Sequence, residues 1–315
     1  MTSASLSLRA LAGDLLEPVT RRRAAARSGV LVFCVHGVDD VFEPDAYRSS
    51  HLELAAFEQV IDELAQVFRF VSLDEALDGV AGGDGRPSAA MTFDDGYLDQ
   101  FTHAAAALKR RGIPATYYVT SARVADGQLL WFDRVRLALA GGAAAAGTVL
   151  GRHGVTFDGA AMDELRSMPR VALRALLGDL AASGAEPRLP PRSHLRTVRA
   201  ADLREFAADP LVTIGSHGAE HLDLLAQEDA VRREEVAGSR RDLESALGVP
   251  VRHFAYPYGA HDASLAALVR EAGYVSAATT ERAWWQTAMD PFRVPRLILG
   301  IGRSGYAFYK AATLP

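Results

Sequence analysis

Two carboxylates stand side by side at Asp94-Asp95, after the apolar run Ala89-Ala90-Met91-Thr92-Phe93 and before Gly96-Tyr97. A buried strand ending so abruptly delivers both acids to its C-terminal tip, the edge where parallel α/β folds assemble their sites. Adjacent residues at a strand tip point apart, so one acid can bind a metal while the other handles a proton; both would equally serve as helix N-caps. His217 and His221 lie four residues apart in Gly215-Ser216-His217-Gly218-Ala219-Glu220-His221, again just past a strand. That spacing predicts one face of a helical turn, where two imidazoles can chelate a divalent ion. With nine histidines in 315 residues the spacing alone is weak evidence. An Asp joined to two His, however, gives three ligands with open positions for water, the composition of a catalytic metal site. A third stretch, Phe254-Ala255-Tyr256-Pro257-Tyr258-Gly259, runs from a strand into an aromatic turn that would either wall a sugar groove or belong to the core.

The elements that must position these groups alternate as β-α units from about residue 28 onward. Strands are predicted at Val30–Val35, Ala89–Phe93, Ile113–Thr120, Leu211–Gly215, Arg252–Tyr256 and Tyr274–Thr279. Helices are predicted at Ala55–Phe68, Leu98–Arg111, Ala230–Leu247 and Ser264–Ala272, the last three stopped by Gly112, Gly248 and Gly273. This order argues for a barrel or an open parallel sheet. Between about residues 130 and 208 it lapses into mostly helical, Ala/Leu/Arg-rich sequence with Pro187, Pro190 and Pro191, which reads as an insertion. The expected organisation is an N-terminal helical extension over 1–28 and one barrel domain over 29–315.

Composition excludes several classes. Hydrophobic residues make up 49% and charged residues 23%, as in an ordinary globular chain, and the net charge of −5 leaves no electrostatic footprint for nucleic acid. The single Cys34 sits in an apolar strand, so a buried structural thiol in a reducing compartment is expected. The longest uncharged stretch, Leu137–Gly151, is too short and too rich in Gly and Ala for a membrane helix, so no transmembrane segment is expected. Asp14 and Glu17 precede Arg21-Arg22-Arg23, the reverse of a signal peptide, and a cytoplasmic location follows as the expectation. An amphipathic Leu6–Val19 followed by those arginines leaves peripheral contact with an anionic membrane open.

Taken in order, Thr92-Phe93-Asp94-Asp95-Gly96-Tyr97, Ser216-His217-x-x-x-His221 and Phe254-Ala255-Tyr256-Pro257-Tyr258-Gly259 closely resemble the polysaccharide deacetylase family, the NodB homology domain of carbohydrate esterase family 4. The resemblance covers roughly residues 30–299. It implies a distorted (β/α) barrel and metal-dependent removal of an N-acetyl group from an amino sugar. It further implies that Asp95, His217 and His221 hold zinc, with cobalt or nickel as alternatives. Asp94 is then the general base, and the Tyr97 backbone N–H belongs to the oxyanion hole. Amide hydrolysis agrees with these roles, since a bound divalent ion activates water and polarises a carbonyl while a carboxylate takes the proton.

The chain departs from the family pattern in two places. Ala255 stands where many members have an Arg that pairs with the base, and Leu297-Ile298-Leu299-Gly300 stands where a His would be the general acid. A subgroup carries the same Phe-Ala-Tyr-Pro-Tyr-Gly run together with a His after the first strand, and His36 occupies that place; it is expected to line the site as acid or substrate contact, against an ordinary loop histidine. Arg296 is the expected replacement for the missing Arg. Tyr256, Pro257, Tyr258 and Trp131 are expected to contact sugar, while Trp284-Trp285 fits either packing or a stacking wall. The expected activity is deacetylation of an acylated amino sugar, glycolipid or polysaccharide precursor. The alternatives are a deformylase or deacylase of another small amide and a noncatalytic sugar-binding barrel. Retention of Asp94 speaks against the last, because metal binding needs Asp95 but no neighbouring base.

Overall fold

A computed structural model describes residues 18–40, 51–79, 85–156, 161–185, 195–299 and 313–314. The apolar runs form strands β1 (Val30–Val35), β5 (Ser88–Phe93), β6 (Ala115–Val119), β7 (Val212–Ser216), β8 (His253–Ala255) and β9 (Ser276–Ala278). Four short strands were not legible: β2 (Gly37–Asp39), β3 (His51–Glu53), β4 (Arg69–Phe70) and β10 (Leu297–Ile298). Two or three residues carry too little alternation to announce a strand.

The main sheet is parallel throughout, in the order β10-β1-β5-β6-β7-β8-β9 with β4 also beside β5, while β2 and β3 pair separately. β1 and β5 run in register from Val30 opposite Ser88 to Val35 opposite Phe93, and every residue of both is buried. Burial on both faces is why they read as continuous apolar runs. Val294 bridges back to Ala278, and a few residues later Leu297 and Ile298 pair with β1, so the sheet curls round into a distorted barrel. Trp285 exchanges hydrogen bonds with Val30 at the start of β1 and Trp284 packs on Phe68, which settles this pair as packing far from the strand tips.

The sheet is flanked by helices α1 (Leu54–Ala65), α2 (Leu73–Leu77), α3 (Ala105–Lys109), α4 (Trp131–Arg152), α5 (Ala161–Arg166), α6 (Arg170–Ala182), α7 (Ala200–Phe206), α8 (Asp229–Arg233), α9 (Ser239–Leu247) and α10 (Ala263–Glu271). The predicted helices Leu98–Arg111 and Ala230–Leu247 are each interrupted by a wider π turn, at Gln100–Ala104 and Glu234–Gly238. Helices α4 to α7 make up the insertion. Residues 18–25 are helical, while the rest of the amphipathic Leu6–Val19 stretch lies outside the described residues. Among the described residues no helix is long and apolar enough to cross a membrane.

Candidate active site

Because every strand of the sheet is parallel, the ends of β1, β5, β7 and β8 gather at one edge. There His36, Asp94, Asp95, Tyr97, His217, His221 and Tyr258 line a cavity of about 270 Å³. A larger cleft of about 460 Å³ is walled by Leu130, Leu173 and Leu177; among the described residues the Asp95, His217 and His221 group lies in the smaller cavity.

The strand tip at β5 behaves as its sequence suggests. The Asp94 N–H still donates to Val35 O at 3.0 Å, after which Asp95 and Gly96 both turn with φ near 79°. A Cβ on Gly96 would sit 3.1 Å from Val119 Cα, so both the turn and the neighbouring strand require glycine there.

The His-x-x-x-His stretch is not helical, which corrects the expectation of a helical turn. After the His217 N–H donates to Val119 O at 2.9 Å, the chain bends through Gly218 (φ 78°) and reaches His221 in a left-handed conformation (φ 59°). The glycine breaks the helix that spacing alone implied. The imidazoles meet nonetheless, with ring centroids 4.8 Å apart, because Glu235 clamps the intervening loop. Its Oε2 accepts the N–H groups of Ala219 and Glu220, each at 3.0 Å.

Asp95 Oδ1 lies 3.2 Å from His221 Nε2 and 3.7 Å from His217 Nε2. Ligand atoms about 2.0–2.1 Å from a tetrahedral ion sit about 3.3 Å from one another, so this donor set fits a zinc-sized divalent ion. His217 Nδ1 pairs with Ala255 O at 2.8 Å, which assigns the ring proton to Nδ1 and leaves the Nε2 lone pair free. Burial pulls the His217 pKa down to about 4, so the neutral, ligating form prevails near neutrality. Burial opposes ionisation of Asp95, but the His221 imidazole outweighs it and brings the carboxyl to about 2. Trp131 donates its indole N–H to His221 O at 3.1 Å, and Phe132 meets the His221 ring edge to face.

Asp94, 3% exposed, is gripped bidentately by Arg296, with Nη1 to Oδ1 at 2.6 Å and Nη2 to Oδ2 at 2.7 Å. The guanidinium is fully buried and is itself held by Thr279 O and Thr92 Oγ1. Burial would raise the Asp94 carboxyl, yet Arg296, aided by His217, holds it well below the usual carboxylate range. An arginine from the segment before β10 thus reaches the carboxylate that the expectation assigned to it.

Of the aromatic turn, only Tyr258 and Gly259 reach the cavity. Tyr256 is fully buried, donates its hydroxyl to Phe292 O and stacks on His261, while Pro257 is buried in packing. The structure therefore does not bring Tyr256 and Pro257 to the expected sugar wall. Trp131 does line the cavity, beside Phe132, Arg136, Met162, Asp163 and Arg166 of the insertion. Tyr97 also lines it. In its bridge with Thr197 the donors are Leu98 and Val198, which leaves the Tyr97 N–H out of that pairing, while its hydroxyl donates to the buried Asp133 at 2.8 Å.

Sequence reasoning missed Gln100, Glu235 and Asp133. Gln100 Nε2 donates to His36 O at 2.5 Å and also to Asp94 O, tying two site loops together. Gln100 and Glu235 both project from π turns, a backbone device frequent at functional sites. Asp133 follows the Trp131-Phe132 pair, the one signal that could have flagged it.

The polysaccharide deacetylase family model matches residues 81–175 and 180–277. Among solved structures the chain is similar to IcaB from Ammonifex degensii, at 20% identity and TM-score 0.61 over 91% of this chain and 98% of that one. It is also similar to a polysaccharide deacetylase from Bacillus cereus, at 15% identity and TM-score 0.60 over 90% and 68%. A third likeness is to the deacetylase PplD from Streptococcus pyogenes, solved in complex with acetate, at 15% identity and TM-score 0.60 over 90% and 97%. These structures share the fold. No curated protein matches the chain. With the matched segments taking in β5 through most of β9, the chain belongs to the polysaccharide deacetylase family, hydrolases of N-acetyl amide bonds.

Proposed function

We propose that the protein is a divalent-metal-dependent N-deacetylase of an acylated amino sugar, glycolipid or polysaccharide precursor. Asp95, His217 and His221 are the ligands and zinc is the ion their spacing suits. The observation that carries this reading is the convergence of those three donors beside a carboxylate that a buried arginine keeps ionised. An ion held there would supply Lewis-acid polarisation of the amide carbonyl and lower the pKa of water at the site.

The protein's own groups do the rest. Asp94 accepts the proton of the attacking water, and Arg296 orients the carboxylate and keeps it ionised until the water is in place. Charge then grows on the former carbonyl oxygen, where the Tyr97 N–H donates to it. His36, at the cavity wall, gives a proton to the departing amine. Trp131, Phe132 and Tyr258 wall the sugar and exclude water.

The test is to load purified protein with zinc and measure bound metal and acetate release from N-acetylated amino sugars, for the wild type and Asp94→Asn. The variant should keep its metal and lose turnover by about 10²-fold or more. Full turnover in Asp94→Asn would refute the assignment of the base. Release of formate from N-formyl sugars in place of acetate would move the acyl specificity to formyl.

A further inference from the structure

The charges around the cavity do not balance. Asp94 is neutralised by Arg296, and the Asp95–His217–His221 group is the candidate metal site. Arg166 stacks over the Tyr258 ring at 4.1 Å and pairs with Asp223 at 3.0 Å. Asp163 lines the cavity from an exposed position, where water screens it. Arg136 is left over. It projects from α4 one turn beyond Phe132, lines the cavity, is half-buried, and makes no ion pair or hydrogen bond among the described residues. Its guanidinium carbon lies 5.4 Å from the Phe132 ring centroid, and the nearby carboxyl it feels, the buried Asp133 on the same helix, is already bonded to the Tyr97 hydroxyl.

A partly desolvated guanidinium is costly unless an acceptor meets it, and its planar fork matches a phosphate or a carboxylate. The cavity, at about 270 Å³, has room for about one sugar unit beside the metal-ligand group, and Arg136 stands on the wall of that unit's place. Building on the deacetylase reading, we propose that the substrate is a single or terminal N-acyl amino sugar bearing an anionic group, and that Arg136 of the insertion binds that anion. Phe132 and Arg136 then act from one helical face, the first packing on the metal-site histidine and the second setting specificity.

The experiment compares three probes: N-acetylglucosamine, N-acetylglucosamine 1-phosphate and N-acetylmuramic acid, which are neutral, phosphorylated and carboxylated. For each, acetate release and calorimetric binding are measured with zinc-loaded wild type, Arg136→Gln and Arg136→Lys. A charge-assisted contact predicts that the wild type prefers at least one anionic probe by about tenfold or more in kcat/KM and in affinity. The preference should fall close to one in Arg136→Gln and return in part in Arg136→Lys. The two anionic arms distinguish phosphate from carboxylate. A wild type that binds all three alike, or a preference that survives Arg136→Gln, overturns the inference. Absence of turnover on every probe counts against the deacetylase reading alone, because binding still decides the role of Arg136.

Discussion

Replacing Arg296 with Gln isolates the interaction on which the proposed base depends. The change removes a bidentate pair at 2.6 and 2.7 Å and leaves the Asp94 carboxylate 3% exposed, with the Cys34 thiol at 3.4 Å as its remaining polar side-chain contact inside hydrogen-bond range. Breaking one side of a buried ion pair costs about 3–5 kcal/mol, since the surviving charge stays desolvated. For a chain of 315 residues, with an unfolding entropy of about 0.66 kcal/mol/K, that is a fall in Tm of roughly 5–8 °C. The sign of the pH effect is equally defined. Arg296 depresses the Asp94 carboxyl, so the base is ionised throughout the neutral range; without the guanidinium, burial raises it and the acid limb of the kcat/KM profile moves toward neutral pH. Denaturant melts and pH–rate profiles of Arg296→Gln, Asp94→Asn and the double variant form a cycle in which the coupling energy should exceed about 2 kcal/mol. A single variant that melts within about 1 kcal/mol of wild type with an unmoved acid limb would refute the argument.

Three further outcomes are expected. Dialysis against a chelator should abolish acetate release, and zinc should restore it in wild type but not in His217→Ala, with bound metal measured on the same samples. Glu235 is pushed up to about 7, chiefly by burial, so the native state keeps a proton that the unfolded chain gives up near 4.5. Stability should therefore decline as pH rises from about 4.5 to about 7, by roughly 3 kcal/mol in all, and Glu235→Gln should flatten that decline in melts taken at several pH values. Gly96→Ala forces a Cβ into a positive-φ turn against Val119 and should lower stability by about 1–3 kcal/mol in denaturant titrations.

The long buried strands were legible because burial on both faces writes continuous apolar runs, as in Val30–Val35, whose predicted bounds match the structure. Asp94, Asp95, His217 and His221 were legible because strand tips and local spacing mark them. Why the histidines converge was not legible. Spacing suggested a helix, whereas Gly218 and a clamp from Glu235 in a distant segment make the loop. A π turn adds one residue to a helix without disturbing its apolar stripe enough to be read, which hid Gln100 and Glu235. Tyr256 looked available because an aromatic turn after a strand resembles a binding wall, while its hydroxyl is taken by Phe292 O. Arg296 was reached only by asking what could replace an expected cation, since nothing local to it predicts contact with a residue 202 positions away.

Among the described residues only three non-glycine residues adopt positive φ, Asp95, His221 and Tyr258, and all three face the same cavity. Left-handed backbone at such residues stores on the order of 1–3 kcal/mol each. Evolving this fold for heat resistance alone would thus tend to dismantle its centre: glycine at any of these positions relaxes the chain and erases a ligand or a wall. Selection for robustness and selection for turnover pull on the same three torsions in opposite directions.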